Sequence, residues 1–206
     1  MPAIGSAWDL RAVLLARGGE RYTGEPVSHL EHALQCADFA ERAGGAEPLV
    51  VAALLHDIGH LLSHFSGTPS AAGIDDRHEL LGAACLDPLF GAEVSEPVRL
   101  HVAAKRYLAA DPAYWRALSE DSLRSLALQG GEMSVEERTA FEQSPHAAAA
   151  LRLRRWDDAA KRPGRATPRL EHFWPRVEQL VLRCAAVSEA HNHPSAKATH
   201  TAQSSV

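Results

Sequence analysis

The chain has 206 residues and a formal net charge of -5, enough length for one sizeable hydrophobic core and no need of a second domain. The acidic balance excludes a nucleic-acid partner held by a basic surface, because neutralising phosphates takes clustered Lys and Arg. No apolar run approaches a membrane span, the amino-terminal MPAIGSAWDLRAVL lacks the basic segment that leads a secretion signal, and Cys36, Cys85 and Cys184 show no paired metal or redox spacing, so a soluble cytoplasmic protein with reduced core cysteines is expected.

In chain order, Asp9 to Arg17 reads as a short amphipathic helix ended by Gly18 and Gly19, followed by the polar turn ERYTGEPVS. Ser28 caps a second helix with Leu30, Leu34, Ala37 and Ala40 at helical spacing, stopping at Gly44 and Gly45. From Glu47 the run PLVVAALLHD predicts a helix buried at the centre of the domain, with Pro48 tolerated in its first turn. Leu61 to Asp76, rich in Ser, Gly, Pro and Ala, reads as a long loop. Helices are then predicted from Arg77 to Leu86, Ser95 to Leu108, Asp111 to Leu118 and Ser119 to Leu128. After the QGGEMS break they follow from Ser134, with Glu137 completing a capping box, to Gln143, from Pro145 to Lys161 and from Leu170 to Ala190. No strand-like alternation is sustained. The expectation is one all-α helical-bundle domain over 1–190 and an unstructured polar tail over 191–206.

The chemistry lies in polar groups on apolar helices. His56 and Asp57, in LLHDIGH, end the most apolar helix, where an unpaired polar group carries a large desolvation cost. A divalent metal would compensate them; so would a plain histidine-carboxylate pair at a helix terminus. His32 in LEHALQCA, His78 in DDRHELLGAA, His101 in VRLHVAAKRYL, and Asp157 with Asp158 in LRLRRWDDAAK are further candidates, each on a separate helix. Singly each reads as an ordinary core residue. Together they match the way helical bundles build carboxylate and histidine sites for two metals. Lys105 lies one turn after His101 and Arg154 three residues before Asp157; cations beside metal ligands call for an anion between them.

The order His, His-Asp, His, His, Asp resembles the HD superfamily. The motifs YTGEPVSHLEHALQCA, LLHDIGH, RHE, HVAAKRYL, LSEDSLRSLALQGGEMS and LRRWDDAAK, spanning Tyr22 to Lys161, resemble more closely its mixed-valent di-iron oxygenases of phosphonate degradation. The resemblance implies an HD-domain bundle holding an Fe(II)/Fe(III) pair, with O2 as co-substrate. One iron would be held by His32, His56, Asp57 and Asp157, the other by Asp57, His78 and His101. Asp157 is preferred to Asp158 because it aligns with the family's Trp-Asp pair. The resemblance further implies that Tyr22 closes off one iron as a phenolate, that Glu25 gates it, and that Lys105, Arg154, Ser122 and Gln129 clamp the phosphonate headgroup. His60 would stand beside the metals, in contact with substrate or handling a proton. His29, His64, His146 and His172 have no such register and are read as ordinary histidines.

The implied reaction is oxidative cleavage of the carbon-phosphorus bond of a small 1-hydroxylated phosphonate: 2-amino-1-hydroxyethylphosphonate to glycine and phosphate, or the trimethylammonio analogue to glycine betaine and phosphate. Glu25, Asp75 or Asp76 would serve an ammonium, and aromatic rings such as Phe65 or Tyr107 a quaternary nitrogen. Neither a nucleic acid nor a membrane is an expected partner, and the sequence sets no oligomeric state. The rival reading is a metal-dependent HD phosphohydrolase acting on a nucleotide or another small phosphate ester, which has no use for the Tyr22 and Glu25 gate. A metal-free binding domain is the third.

Overall fold

The computed structural model describes residues 4–22, 24–65 and 67–192 of the chain. Among them are eleven α-helices and no strand longer than a single bridge. The all-α expectation holds; the expected tail lies outside the described residues from His193 onward, and the last helix runs through Asn192.

α1 (Ala7–Arg17) starts two residues before the expected Asp9 because the Ser6 hydroxyl accepts from the Asp9 amide. The following turn is pinned by an antiparallel bridge between Arg21 and Ser28 and by the Tyr22 amide donating to the Val27 carbonyl at 2.9 Å. α2 (His29–Arg42) opens with a full capping box: the Glu31 amide donates to Ser28 Oγ and the Ser28 amide to the Glu31 carboxylate. α3 (Glu47–Leu55) buries every side chain from Leu49 to Leu55, as a helix apolar on all sides must. It packs against α2, and against α6, α10 and α11, whose ranges follow.

The helix expected to end at Asp57 breaks there instead. Asp57 takes φ -100° and ψ 13°, outside the helical well, and the chain resumes as α4 (Ile58–Leu62). The long loop therefore begins at Ser63 rather than Leu61, and it carries a 3-10 turn at Pro69–Ala72. α5 (His78–Phe90) begins after Arg77, a residue with φ 49°. Gly91, at φ 68°, ends α5 and starts α6 (Ala92–Leu108) three residues before the expected Ser95, so that Pro97 lies inside the helix. Ser95 lies inside the helix, and its hydroxyl donates to Asp87 Oδ1 at 2.7 Å. α7 (Pro112–Ala117), α8 (Glu120–Leu128), α9 (Val135–Glu142), α10 (Ala147–Ala159) and α11 (Leu170–Asn192) follow.

The main core joins α1, α2, α3, α5, α6, α10 and α11 through residues such as Leu10, Ala37, Leu54, Leu86, Val98, Leu153 and Phe173. A second cluster under α9, with Leu100, Met133 and Phe141, fixes α6 against α10. No helix is long and apolar enough to cross a membrane among the described residues. Cys36 is a buried free thiol and Cys85 a half-buried one.

Candidate metal centre

The helices bring His32 from α2, His56 from the end of α3, Asp57 from the α3–α4 break, His78 from the start of α5, His101 from α6 and Asp157 from α10 to one buried point. The break at Asp57 turns its carboxylate between two imidazole pairs. Oδ2 stands 3.4 Å from His32 Nε2 and 3.3 Å from His56 Nε2, while Oδ1 stands 3.5 Å from His78 Nε2 and 3.6 Å from His101 Nε2. Asp157 Oδ1 adds a fourth atom to the first group, 3.5 Å from His32 Nε2.

The opposite ring nitrogens decide what these atoms are. Nδ1 of His32 donates to the Ala160 carbonyl at 2.9 Å, that of His56 to Ala53 at 3.0 Å and that of His101 to Val98 at 2.6 Å; His78 Nδ1 pairs with Asp76 Oδ1 at 2.9 Å. A neutral imidazole whose Nδ1 carries the proton has only a lone pair at Nε2. Yet His32 and His56 face each other Nε2 to Nε2 at 3.2 Å, and His78 and His101 do so at 3.1 Å. Both oxygens of Asp57 and Oδ1 of Asp157 are buried without a hydrogen bond. Lone pairs converging on lone pairs and carboxylate oxygens need cations between them. Donor atoms about 2.1 Å from an ion lie about 3.0 Å apart at a right angle and about 3.4 Å apart at the tetrahedral angle. The residues present thus fit two divalent metals: His32, His56, Asp57 and Asp157 could hold one, and Asp57, His78 and His101 the other. Cys36, whose Sγ is 3.8 Å from His32 Nε2, also borders the first group.

Burial opposes ionisation of Asp57 and of Asp157, but the neighbouring histidines, His56 first, hold the Asp57 carboxyl well below the usual range, and Arg154, Lys161 and the histidines do the same for Asp157. Burial likewise opposes protonation of His78, and its hydrogen bond to Asp76 with the nearby Asp57 charge carries it up to about 9; burial and the neighbouring His78 push His101 well down.

A pocket opens on the His78 and His101 side, lined also by Tyr22, His60, Lys105, Ser122, Gln129, Arg154, Asp157 and Lys161. Lys105 donates to Ser125 Oγ at 2.8 Å, and burial with the adjacent Arg154 lowers its pKa to about 7. Gln129 ends α8 with Oε1 buried and unpartnered. Arg154 is more committed than the sequence suggests: it reaches Asp157 Oδ2 at 2.8 Å, the Asp158 carboxylate and the Tyr114 hydroxyl. Asp158 turns away from the metal ligands towards Arg154 and Tyr114.

Tyr22 stacks on His32 with centroids 4.2 Å apart, and burial with the charges of Asp57 and Asp157 raises its phenol well above the ordinary value. Glu25 is set back from the metal ligands; its Oε1 accepts from Ser119 Oγ at 2.5 Å and lies 3.5 Å from Lys161 Nζ. His60 stacks on His78 at 3.8 Å and pairs through Nδ1 with Asp76 Oδ2 at 2.7 Å.

Three neighbours of the site take places the sequence reading did not give them, Asp76 having been read only as a possible partner of an ammonium. Asp76 bridges His60 and His78. His29, read as ordinary, is buried 5.1 Å from the Tyr22 ring and 5.7 Å from His60, and burial with His60 lowers it to about 4. Its signal was the three-residue step to His32 on one helix face. Lys161, four residues after Asp157, carries the same register as Lys105 after His101. Two candidate aromatics are displaced: Tyr107 packs on Phe141 and donates to Glu142, and Phe65 borders a separate cavity beside Arg17 and Glu20.

A family model described as HD domain matches residues 29–142, more than half of the chain. The chain is 47% identical over 167 residues to a [1-hydroxy-2-(trimethylamino)ethyl]phosphonate dioxygenase (glycine-betaine-forming) of Leisingera caerulea, covering 80% of this chain and 85% of that protein. It is 44% identical over 170 residues to a hydroxymethylphosphonate dioxygenase of Gimesia maris, covering 82% and 85%. An uncharacterized protein of Acanthamoeba polyphaga mimivirus is 36% identical over 159 residues, covering 76% and 73%.

Proposed function

Since the chain belongs to the HD-domain family, in the branch of the hydroxyalkylphosphonate dioxygenases, we propose that it uses two iron ions and O2 to cleave the carbon-phosphorus bond of a small 1-hydroxylated phosphonate. The observation that carries the reading is adjacency. Two imidazole pairs share the Asp57 carboxylate, and the pocket beside them is lined by Lys105, Arg154 and Lys161, so metals and a multiply charged anion fit side by side.

A mixed-valent iron pair supplies the oxidising chemistry and the affinity for a hydroxyl and a phosphonate oxygen. The chain does the rest. Lys105, Arg154, Ser122 and Gln129 orient the headgroup, which places the carbon bearing the hydroxyl towards His78 and His101. His60, held by Asp76, stands where it can take the proton of the substrate hydroxyl. Tyr22, packed over His32 where it lines the same pocket, closes the His32 side against water and unproductive oxidation, and Glu25 governs its position.

Asp75 and Asp121 also line the pocket, and Tyr22 is its only aromatic ring other than histidine among the described residues. That lining suits an ammonium on the second carbon better than a quaternary nitrogen, which prefers aromatic faces; 2-amino-1-hydroxyethylphosphonate, giving glycine and phosphate, is therefore placed ahead of its trimethylated form. The test is phosphate release by iron-loaded protein from these two compounds and from hydroxymethylphosphonate, with and without O2. Oxygen-dependent release supports the reading and ranks the substrates. Release from a nucleotide under anoxia, with none from a phosphonate, replaces it with a hydrolase.

A further inference from the structure

Lys161 lines the pocket from outside any helix. It projects from just beyond the end of α10, with only 13% of its side chain exposed. Its Nζ donates to Ser122 Oγ at 3.0 Å, lies 3.5 Å from Glu25 Oε1 and 4.0 Å from Asp157 Oδ1, and stands 5.9 Å from the centre of the Tyr22 ring. A solvated helix charge would turn outward. This one is surrounded by groups of the site.

We propose that Lys161 is a third headgroup cation and that Glu25 is its counter-ion in the resting protein, so that an arriving phosphonate and Glu25 compete for one ammonium group. The inference rests on the phosphonate reading and deepens it. Of the lysines and arginine that line the pocket among the described residues, Arg154 is tied to Asp157, Asp158 and Tyr114, whereas Lys161 has three N–H donors and, among the described residues, gives a hydrogen bond only to the neutral Ser122 hydroxyl. Ser122 lines the same pocket, so an oxygen that reaches Ser122 is within reach of Lys161. Glu25 loses little in the exchange, because Ser119 Oγ already donates to the oxygen that faces Lys161. Glu25 also belongs to the tight turn that carries Tyr22, its amide donating to the Tyr22 carbonyl at 2.7 Å. Filling the headgroup position thereby reaches the segment over His32 through a single lysine.

The test is a double-mutant cycle on the iron-loaded full chain, read as the affinity for inorganic phosphate by calorimetry. Lys161→Met is expected to weaken phosphate about tenfold or more, the loss of a charge-assisted contact, with Lys161→Arg restoring most of it. Glu25→Gln is expected to tighten phosphate about threefold by removing the competitor, and to have no effect once Lys161 is Met. A gain from Glu25→Gln that persists in the Lys161→Met background means plain repulsion through space and overturns the proposal, as does unchanged binding by Lys161→Met. Should Lys161→Met fail to fold or to hold iron, Glu25→Gln in the native chain decides, and no tightening sinks the idea. A native protein that binds neither phosphate nor a phosphonate overturns the phosphonate reading and this one together; oxygen-dependent turnover with an additive cycle overturns this one alone.

Discussion

Gly59 lies so close to His78 that a methyl group on its α-carbon would stand 2.0 Å from the His78 carbonyl oxygen and 3.0 Å from the Gly82 amide nitrogen. α4 and α5 meet backbone to backbone at that point, and the contact sets the distance from Asp57, two residues before Gly59, to the His78 ring. Replacing a helical glycine by alanine ordinarily stabilises a helix by about 1 kcal/mol. Here Gly59→Ala must separate the two helices, and an overpacked contact of this kind costs about 1–3 kcal/mol. Chemical denaturation of the variant is expected to show that loss, accompanied by loss of metal from the His78 and His101 side; a variant as stable as the native chain with full iron content contradicts the close approach.

Asp57 gives one carboxylate oxygen to each imidazole pair. Asp57→Ala is therefore expected to abolish both metal positions at once, bringing iron per chain from two to near zero, while Asp157→Ala affects the His32 and His56 position first. Metal analysis after anaerobic loading separates the outcomes. Retention of two irons by Asp57→Ala would falsify the shared-ligand arrangement.

Asp76 acts on one position only. It accepts from Nδ1 of His78 and is paired with His60, whereas His32, His56 and His101 orient through backbone carbonyls. Carboxylates behind a ligating histidine raise its basicity and fix its tautomer, and their removal typically costs about 10–100-fold in metal affinity. Asp76→Asn is expected to weaken the metal beside His78 and His101 by that factor and to leave the other intact, so that titration with a chelator becomes biphasic. A single unchanged release step speaks against it.

How far the sequence speaks for itself varies by element and has physical reasons. α2 and α9 are legible because their capping serines are local signals, each answered by a glutamate three residues on. α3 is legible because nothing but burial explains so apolar a run. The start of α6 is expected at Ser95, while the true boundary is set three residues earlier by Gly91 with its positive φ, and Ser95, inside the helix, bonds Asp87. The break at Asp57 is a tertiary event: the carboxylate sits between the imidazole of the adjoining His56 and three contributed by other helices, which no local propensity encodes. The same division holds in the site. The histidines that the metals would share stand out; His29 at the start of α2, the bridging role of Asp76 in its loop, and Lys161, whose position imitates an ordinary solvated charge, do not.

Lys105 makes anion binding depend on pH in a stated direction. Burial first, and the nearby Arg154 second, bring its pKa from the usual lysine value to about 7, and two bound cations push the same way. A lysine with a lowered pKa is charged below that value and loses its charge as pH rises through it; a bound anion favours the charged form, so binding takes up a proton above about pH 7. Sulfate keeps its charge over this range and isolates the protein's part. Its affinity for the iron-loaded protein is expected to fall by up to about tenfold per pH unit above 7, the limit for one linked proton, with proton uptake visible as a buffer-dependent heat. Lys105→Met is expected to bind sulfate weakly and without that slope. A slope that survives the substitution would assign the linked proton to another group, and Lys105 would then act by shape and not by charge.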